Sequence, residues 1–299
     1  GIYTINGSTN RFRAIDLTVG TATATNVQGN TIAGISHNTT TSGSAASTPC
    51  AMIVNNVNSG LVNIGNITGN TIGNLTGTGS ITFSSSSSTT SDVYGVLNLG
   101  LSNTNISNNN IGAVSVTNSG TGGVVFMGIR AQTNVAVTET ITNNIIGGTI
   151  VNSIHNTAPG SSSSIVGIQN DASGGSFSPI AAISGNVIRN FTHTASNASN
   201  SSNAAIIGIA QLASTSPGHN ITNNIIHSLS STASGVSETG YVIGLFYSGT
   251  DSGANTVSHN FIHSLSRPAS SNSGGLYGIR SSLGFTNFHN NLVRLGINA

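Results

Sequence analysis

Short apolar segments alternate with polar turn residues along the whole chain, and one six-residue phrase recurs eight times. It runs aliphatic residue, Ser or Thr, Gly or Asn, Asn, any residue, aliphatic residue, as in the segment Ile221–Ile226. The mean step of about 37 residues falls in the range that indicates a repeat array. The repeated asparagines are Asn30, Asn70, Asn109, Asn144, Asn186, Asn224, Asn260 and Asn291.

A second phrase, with glycine between apolar residues, occupies the other half of most repeats. Two early copies carry Ala14 and Ile53 in the glycine slot. The distance from each Asn phrase to the next Gly phrase is the longer and more variable half of the period, which predicts that this half holds the loops. The glycine column consists of Gly95, Gly128, Gly167, Gly208, Gly244 and Gly278.

Helix is disfavoured because Gly, Asn, Ser and Thr dominate and the apolar residues cluster in short β-branched runs. Stacked strand-turn-strand repeats form parallel sheets, and parallel connections strongly favour the right hand. The sequence therefore predicts an all-β, right-handed parallel β-helix, or β-solenoid. We expect one domain over residues 1–299 with about eight coils and long Ser/Gly/Thr/Asn-rich loops, forming a segment of a longer protein or filament.

The Asn phrase predicts a tight corner between two strands. The residue before each repeated Asn is Gly, Asn or His, the types that adopt positive φ most readily. The asparagines can then stack amide on amide as a structural ladder. Two aliphatic columns should point inward, Ile32 to Ile262 and, three positions later, Ile35, Leu75, Val114, Phe191, Leu229 and Leu265, with Thr149 as the exception.

The Gly phrase is apolar on both strand faces. If Tyr94, Met127 and Val166 point inward, then Val93 and Phe126 form part of an exterior apolar stripe. Such a stripe should be covered. Either the loops of the same chain fold over it, or a neighbouring chain packs laterally against it.

Charge is scarce, since 4% of residues are charged and the net charge is +1. Binding to nucleic acid requires clustered basic residues, so that class of partner is excluded. The single cysteine, Cys50, cannot form an internal disulfide, and no metal or cofactor motif is present. No run of 18 or more apolar residues occurs, so we expect no transmembrane segment.

Catalysis on a β-helix would need converging carboxylates. The six acidic residues fall in different repeat columns, and the nearest to a shared region are Asp171 and Asp251. We therefore expect no catalytic residues. A polysaccharide lyase or hydrolase stays open as an alternative, as does a passive glycan-binding module, although the tyrosines share no single column.

One polar column lies three positions after the repeated Asn on four consecutive coils. Stacked at the strand spacing, these side chains would form a titratable basic stripe that could bind an anion or a glycan. Solvated side chains are the simpler interpretation. The column consists of Arg189, His227, His263 and Arg294.

Two further surface features of the sequence bear on function, the glycosylation sequons and a column of hydroxyl side chains. Asn-x-Ser/Thr sequons occur about as often as chance allows, and sugar on them would help a nearly uncharged surface stay soluble. A column of Ser and Thr hydroxyls beside the Asn ladder, such as Ser107 and Thr142, raises the possibility of ice binding. One mixed column matches a lattice poorly, so we expect no thermal hysteresis.

With both phrases established, the chain resembles the right-handed parallel β-helix repeats of large secreted or surface adhesin-like proteins of gliding, type IX-secreting bacteria. The segments Ile221–Leu229 and Tyr277–Ile279 carry the resemblance. It implies an extracellular or cell-surface, non-enzymatic role in a filament or adhesive layer, with no catalytic residues. Open strand edges further predict self-assembly, head to tail and possibly laterally, with surface glycans as other possible partners.

Overall fold

The computed structural model describes residues 2–172, 178–233, 240–250, 253–268 and 274–295. Nearly all regular structure in these ranges is β-strand, with one short 3₁₀ helix at Ala45–Ser47. In chain order, the first half contains β1 (Tyr3–Gly7), β2 (Phe12–Leu17), β3 (Thr25–Val27), β4 (Thr31–Ile32), β5 (Ile35–Thr39), β6 (Cys50–Asn55), β7 (Val62–Ile64), β8 (Thr71–Gly73), β9 (Ile81–Ser85), β10 (Ser91–Asn98), β11 (Thr104–Ser107), β12 (Asn110–Gly112), β13 (Val114–Asn118), β14 (Val124–Thr133) and β15 (Thr138–Thr142). The second half contains β16 (Ile145–Ile146), β17 (Ile154–Asn156), β18 (Ser164–Ala172), β19 (Ile180–Ser184), β20 (Val187–His193), β21 (Ile206–Gln211), β22 (Asn220–Thr222), β23 (Ile225–Ser231), β24 (Val242–Ser248), β25 (Thr256–Ser258), β26 (Phe261–Ser266), β27 (Leu276–Leu283), β28 (Asn287–His289) and β29 (Leu292–Arg294).

The strands form three parallel sheets, and each turn of the chain visits them in the same order. Sheet B holds β2-β6-β10-β14-β18-β21-β24-β27, and sheet C holds β3-β7-β11-β15-β19-β22-β25-β28. Sheet A holds the remaining strands. Its early strands are split in two, as in β12 and β13, whereas β20, β23 and β26 run through continuously. The predicted all-β solenoid is confirmed.

The number of turns differs from the prediction. Eight repeated asparagines mark eight corners between sheets C and A, but eight corners enclose only seven intervals. The solenoid therefore has about seven turns rather than eight.

The asparagine ladder fills the corner between sheets C and A. From Asn30 to Asn260, each side-chain amide donates to Oδ1 of the next asparagine at 2.8 to 3.0 Å. The backbone N–H of the same residue donates to that oxygen at 2.9 to 3.1 Å. The second amide hydrogen points back to the preceding turn, as from Asn144 to the Ile106 carbonyl at 2.9 Å. Buried polar groups are thus satisfied between turns rather than within one.

Left-handed backbone before the repeated Asn makes the corner tight. Asn143 has φ of 56° and His259 has φ of 55°, in line with the residue types that this position selects. Gly69 is the exception, because the positive φ in its turn belongs to Gly65. Ile64 of that turn pairs with Val27 and Ile106, so the Ile67 of the sequence phrase is displaced and 78% exposed.

The first inward aliphatic column runs in register from Ile32 to Ile262, as the sequence predicts. The second column was wrong at Leu75, and its expected break at Thr149 is filled by another residue, because insertions lengthen the corner. Ile81 replaces Leu75 and Ile154 replaces Thr149 in register with Val114. Leu75 and Thr149 instead meet in the loop, where the Thr149 N–H donates to the Leu75 carbonyl at 2.7 Å.

The glycine column lets two sheets approach closely. A Cβ on Gly208 would lie 2.4 Å from the Gly244 carbonyl oxygen and 2.6 Å from Cγ2 of Ile226. Gly95, Gly128, Gly167 and Gly244 likewise meet the next glycine carbonyl and the isoleucine ladder, and Gly278 meets Val293. In the two early turns, Ala14 and Met52 hold this place, so Ile53 was the wrong residue for the second turn.

Pairing skips the glycine, and this irregularity reverses the predicted orientation of the neighbouring residues. Val93 and Phe126 belong to the central core, whereas Tyr94, Met127 and Val166 belong to a separate cluster on the outer face of sheet B. The outer cluster is buried, with Tyr94 fully covered. Residues from connecting segments, including Ala204 and Leu212, pack into this cluster, so the chain's own loops cover this part of the apolar stripe.

The ladder predicts the cost of replacing one amide. An Asn144→Leu change leaves the donors of Asn109 and the Ile106 carbonyl without partners. We expect a loss of about 1 to 3 kcal/mol for each group left unpaired, measured by urea unfolding. The matched control is Asn26→Leu at an exposed position, which should change stability by less than about 0.5 kcal/mol. Equal losses in the two variants would contradict the structural role of the ladder.

The glycine column generates a second stability prediction. Gly208→Ala forces the new methyl group against the Gly244 carbonyl and should cost about 1 to 3 kcal/mol by overpacking. Gly20→Ala is the control, since nothing lies within 4 Å of its Cβ position. That variant should be neutral or more stable by up to about 1 kcal/mol. Calorimetric melting of both variants is the measurement, and a neutral Gly208→Ala would refute the close approach.

Candidate functional site

Three charged side chains from consecutive turns meet on the outer face of sheet B. Arg130, on β14, lies between Asp92 on β10 and Asp171 on β18. Its Nε and Nη2 donate to the two carboxylate oxygens of Asp171 at 3.2 and 2.7 Å. Its Nη1 lies 3.7 Å from Oδ2 of Asp92. The two-pronged contact with Asp171 is the geometry in which Arg holds a carboxylate most firmly.

Tyr94 completes this charged cluster and ties it to a loop. Its hydroxyl donates to Oδ2 of Asp92 at 2.7 Å and accepts from Nη1 of Arg130 at 2.7 Å. The backbone N–H of Ala45, in the 3₁₀ helix, also donates to the hydroxyl, at 3.1 Å. The cluster is therefore fixed from both the sheet and the covering loop.

Burial sets the protonation of the cluster. Arg130, Asp92 and Asp171 are each less than 10% exposed. Desolvation raises the pKa of Asp92, with Asp171 adding to the rise and Tyr94 and Arg130 opposing it. The two aspartates thus occupy unlike environments, because Asp171 has the two-pronged arginine contact and Asp92 has only a distant one.

A groove of about 400 Å³ opens over the charged cluster. Val125 and Leu212 give it apolar surface, Met127 and Val166 are buried beneath it, and Gln169 adds an amide. Loop hydroxyls and an amide form other parts of its lining, namely Ser44, Thr90, Ser162, Ser202 and Asn203. The arrangement offers both donors and acceptors beside an apolar surface, as small-molecule sites commonly do.

The sequence interpretation missed this site. Asp171 was expected nearest to Asp251, which lies outside the described residues, and its contacts with Arg130 and Asp92 were not foreseen. The signal lay in the strand parity. Because pairing skips the glycine, residues three before it, two after it and four after it all face outward. These offsets are those of Asp92 from Gly95, Arg130 from Gly128 and Asp171 from Gly167.

Glu139 is a second buried acid, but it lies in the interior and away from the groove. It is fully buried and accepts from Nδ2 of Asn98 at 3.0 and 2.9 Å. Asn98 in turn accepts from Asn55 at 2.7 Å. Desolvation raises the pKa of Glu139 well above 4.5, and the Asn98 hydrogen bond only partly offsets this. Burial therefore favours the neutral form of this carboxyl, and its environment is that of a structural polar group.

The predicted basic stripe lies in one column on sheet A. Arg189, His227, His263 and Arg294 pair in direct register. The two imidazole rings stack at 4.8 Å with an angle of 2° between their planes. Desolvation, His263 and Arg189 lower the pKa of His227 to about 4. Desolvation and Arg294 also lower the pKa of His263. At neutral pH the charge of the stripe is therefore confined to its two arginines.

The remaining acids form no further cluster in the described ranges. Asp16 pairs with Arg13 at 2.9 Å near the surface. Glu238 and Asp251 lie outside those ranges. Within the described ranges, no group of three or more His, Cys, Asp or Glu side chains is placed to hold a metal ion.

The chain matches no family model, no curated protein and no solved structure in the comparisons with known proteins. The resemblance to adhesin-like repeats of gliding bacteria therefore stays a prediction from the sequence. No helix in the described part of the chain has the length and apolar character needed to cross a membrane.

The buried Glu139 generates a pH prediction. Because its pKa is raised in the folded state, its stabilising effect is complete below the unfolded pKa and is lost as pH rises toward the folded pKa. Over that window, wild-type stability should fall by about 1.4 kcal/mol per pH unit relative to Glu139→Gln. Urea unfolding of both proteins from pH 4 to 8 measures the difference.

Comparing two proteins that differ at one site cancels the contribution of the histidines. Desolvation lowers the pKa of His37 to about 4, and that of His219 to about 4, so these groups reduce stability in acid in both proteins. Parallel pH profiles for wild type and Glu139→Gln would contradict a protonated Glu139.

Proposed function

We propose that the protein is a structural, non-enzymatic segment of an extracellular filament or adhesin at the cell surface. The observation that carries the proposal is the continuity of its columns. The Asn ladder and the isoleucine ladder pass through every turn of the solenoid, and each turn satisfies the polar groups of its neighbour. A continuous stack of this kind forms a long, stiff rod, which suits a structural role.

The exposed edge of the last described turn supports stacking of further turns. Phe288 and Val293, which continue inward-facing columns, are each 41% exposed. Their partners one turn earlier include Val257 and Ile262, which are fully buried. Adding another parallel turn would bury these apolar side chains and pair the open strand edge.

The surface charge favours such contacts. With 4% charged residues and a net charge of +1, the chain has little self-repulsion to oppose association. A contact between unlike ends does not close on itself and therefore propagates into a filament.

Surface location and glycosylation rest on the sequence resemblance and on the sequons. Asn6 and Asn74 are exposed and could accept sugar. Asn197 is not a suitable acceptor in the folded protein, because it is buried and its amide donates to the carbonyls of Ser163 and Asn203. We propose that sugar on exposed sites keeps the rod soluble.

A carbohydrate-active enzyme is the second candidate, because the groove holds two aspartates in unlike environments. A carboxyl with raised pKa beside an ionised one is the usual arrangement for acid catalysis at a glycosidic bond. Reducing-sugar release from polysaccharides, abolished in Asp92→Asn and in Asp171→Asn, would support it. Unchanged release in both variants, or none from wild type, would reject it in favour of the structural role.

The filament proposal predicts that a charged residue on the open strand edge blocks assembly. Electron microscopy of the purified protein should show fibres with an axial repeat of roughly 35 Å, seven turns at the strand spacing. Val293→Lys should abolish them, because a lysine in the inward-facing column of an open edge would be buried unpaired by the next turn. Val151→Lys is the control at a loop residue that is 73% exposed, and it should assemble normally. Monodisperse particles from wild-type protein would contradict the proposal.

A further inference from the structure

The charges of the Asp92–Arg130–Asp171 cluster are not required by the fold. Leu97 occupies the place of Arg130 in the preceding turn, and Ala210 and Phe246 occupy the same column further on. These apolar residues are buried on the same outer face of sheet B. Neighbouring turns fill the Arg130 position with an apolar residue, and a buried ion pair adds little stability compared with apolar packing. Stability of the fold therefore does not explain why this turn carries charged residues.

We propose that the groove above this cluster binds a neutral, hydroxyl-rich ligand, a segment of an uncharged polysaccharide. The site is independent of the proposed assembly through the solenoid edge, since it lies on the outer face of sheet B between turns.

The balance of charges in the groove favours a neutral ligand over an anionic one. The positive charge of Arg130 is matched by its contact with Asp171, and Asp92 adds a further acid beside them. The groove therefore has no excess positive charge with which to attract phosphate, sulfate or uronate groups.

The lining matches the two faces of a sugar ring. Asp92 and the amide of Gln169 offer acceptors and a donor, and loop hydroxyls such as Ser162 and Ser202 can do both. Val125 and Leu212, which are partly exposed, present the apolar surface on which the C–H face of a sugar can lie. The volume of about 400 Å³ is in the range of small-ligand sites.

The polar groups are also held in place before any ligand arrives. Asp171 accepts from Arg130, from Gln169 at 3.2 Å and from Gln132 at 3.2 Å. Tyr94 links Asp92 and Arg130 to the backbone of Ala45. Side chains already fixed lose little conformational entropy on binding, which favours affinity.

The two glutamines provide a matched test. Both donate to Oδ2 of Asp171 at the same distance, but only Gln169 is in the lining of the groove. Saturation-transfer NMR with cellohexaose, laminarihexaose, maltohexaose and chitohexaose should detect binding of at least one of them. For the one that binds, Gln169→Leu should weaken the affinity about tenfold, the loss of one good hydrogen bond, whereas Gln132→Leu should leave it within about twofold.

A further variant guards against misfolding at the buried position. Ser202→Trp places a bulky side chain in the groove from a loop and should abolish binding while the melting temperature stays unchanged. The proposal is overturned if none of the four neutral oligosaccharides binds, if the two glutamine variants lose affinity equally, or if an oligogalacturonate binds more tightly than all four.

Discussion

The structure depends on the buried asparagine amides at the corner between sheets C and A. An amide removed from water costs stability unless its donors and acceptor find partners, and here the partners lie in the turns before and after. A single turn on its own would contain an asparagine whose amide lacks hydrogen-bond partners and an isoleucine with no neighbour to pack against. The turns must therefore fold together, and the repeat in the sequence is the repeat of this one requirement.

The close packing behind the corner follows from the same stacking. Glycines such as Gly167 leave room for the methyl groups of the isoleucine ladder, here Ile188. The interior thereby contains a continuous apolar column, and burial beside it raises the pKa of Glu139, whose carboxyl accepts from Asn98. The charged residues of the Asp92–Arg130–Asp171 cluster lie instead on the outer face of sheet B, where loops cover them. That separation makes a binding groove possible on a structural rod.

The sequence predicts the strand type, the corner and the first inward column, because each depends on one residue type at a fixed spacing. It fails where a few inserted residues imitate the phrase. Ile67 and Leu75 match by spacing, yet Ile64 and Ile81 hold the structural positions. The irregular pairing at the glycine column reverses which residues face inward, and no local propensity reveals it. The Asp92–Arg130–Asp171 cluster was missed for that reason, since its members have different offsets within their repeats.

Hydrogen exchange of the asparagine side-chain amides tests the central claim most directly. If the ladder couples the turns, the amide hydrogens of Asn70, Asn109, Asn144, Asn186 and Asn224 should exchange only through global unfolding, as slowly as the most protected backbone amides. The side-chain amide of exposed Asn26 should exchange at the rate of a free amide. Fast exchange at Asn109 or Asn144, similar to that of Asn26, would contradict the account.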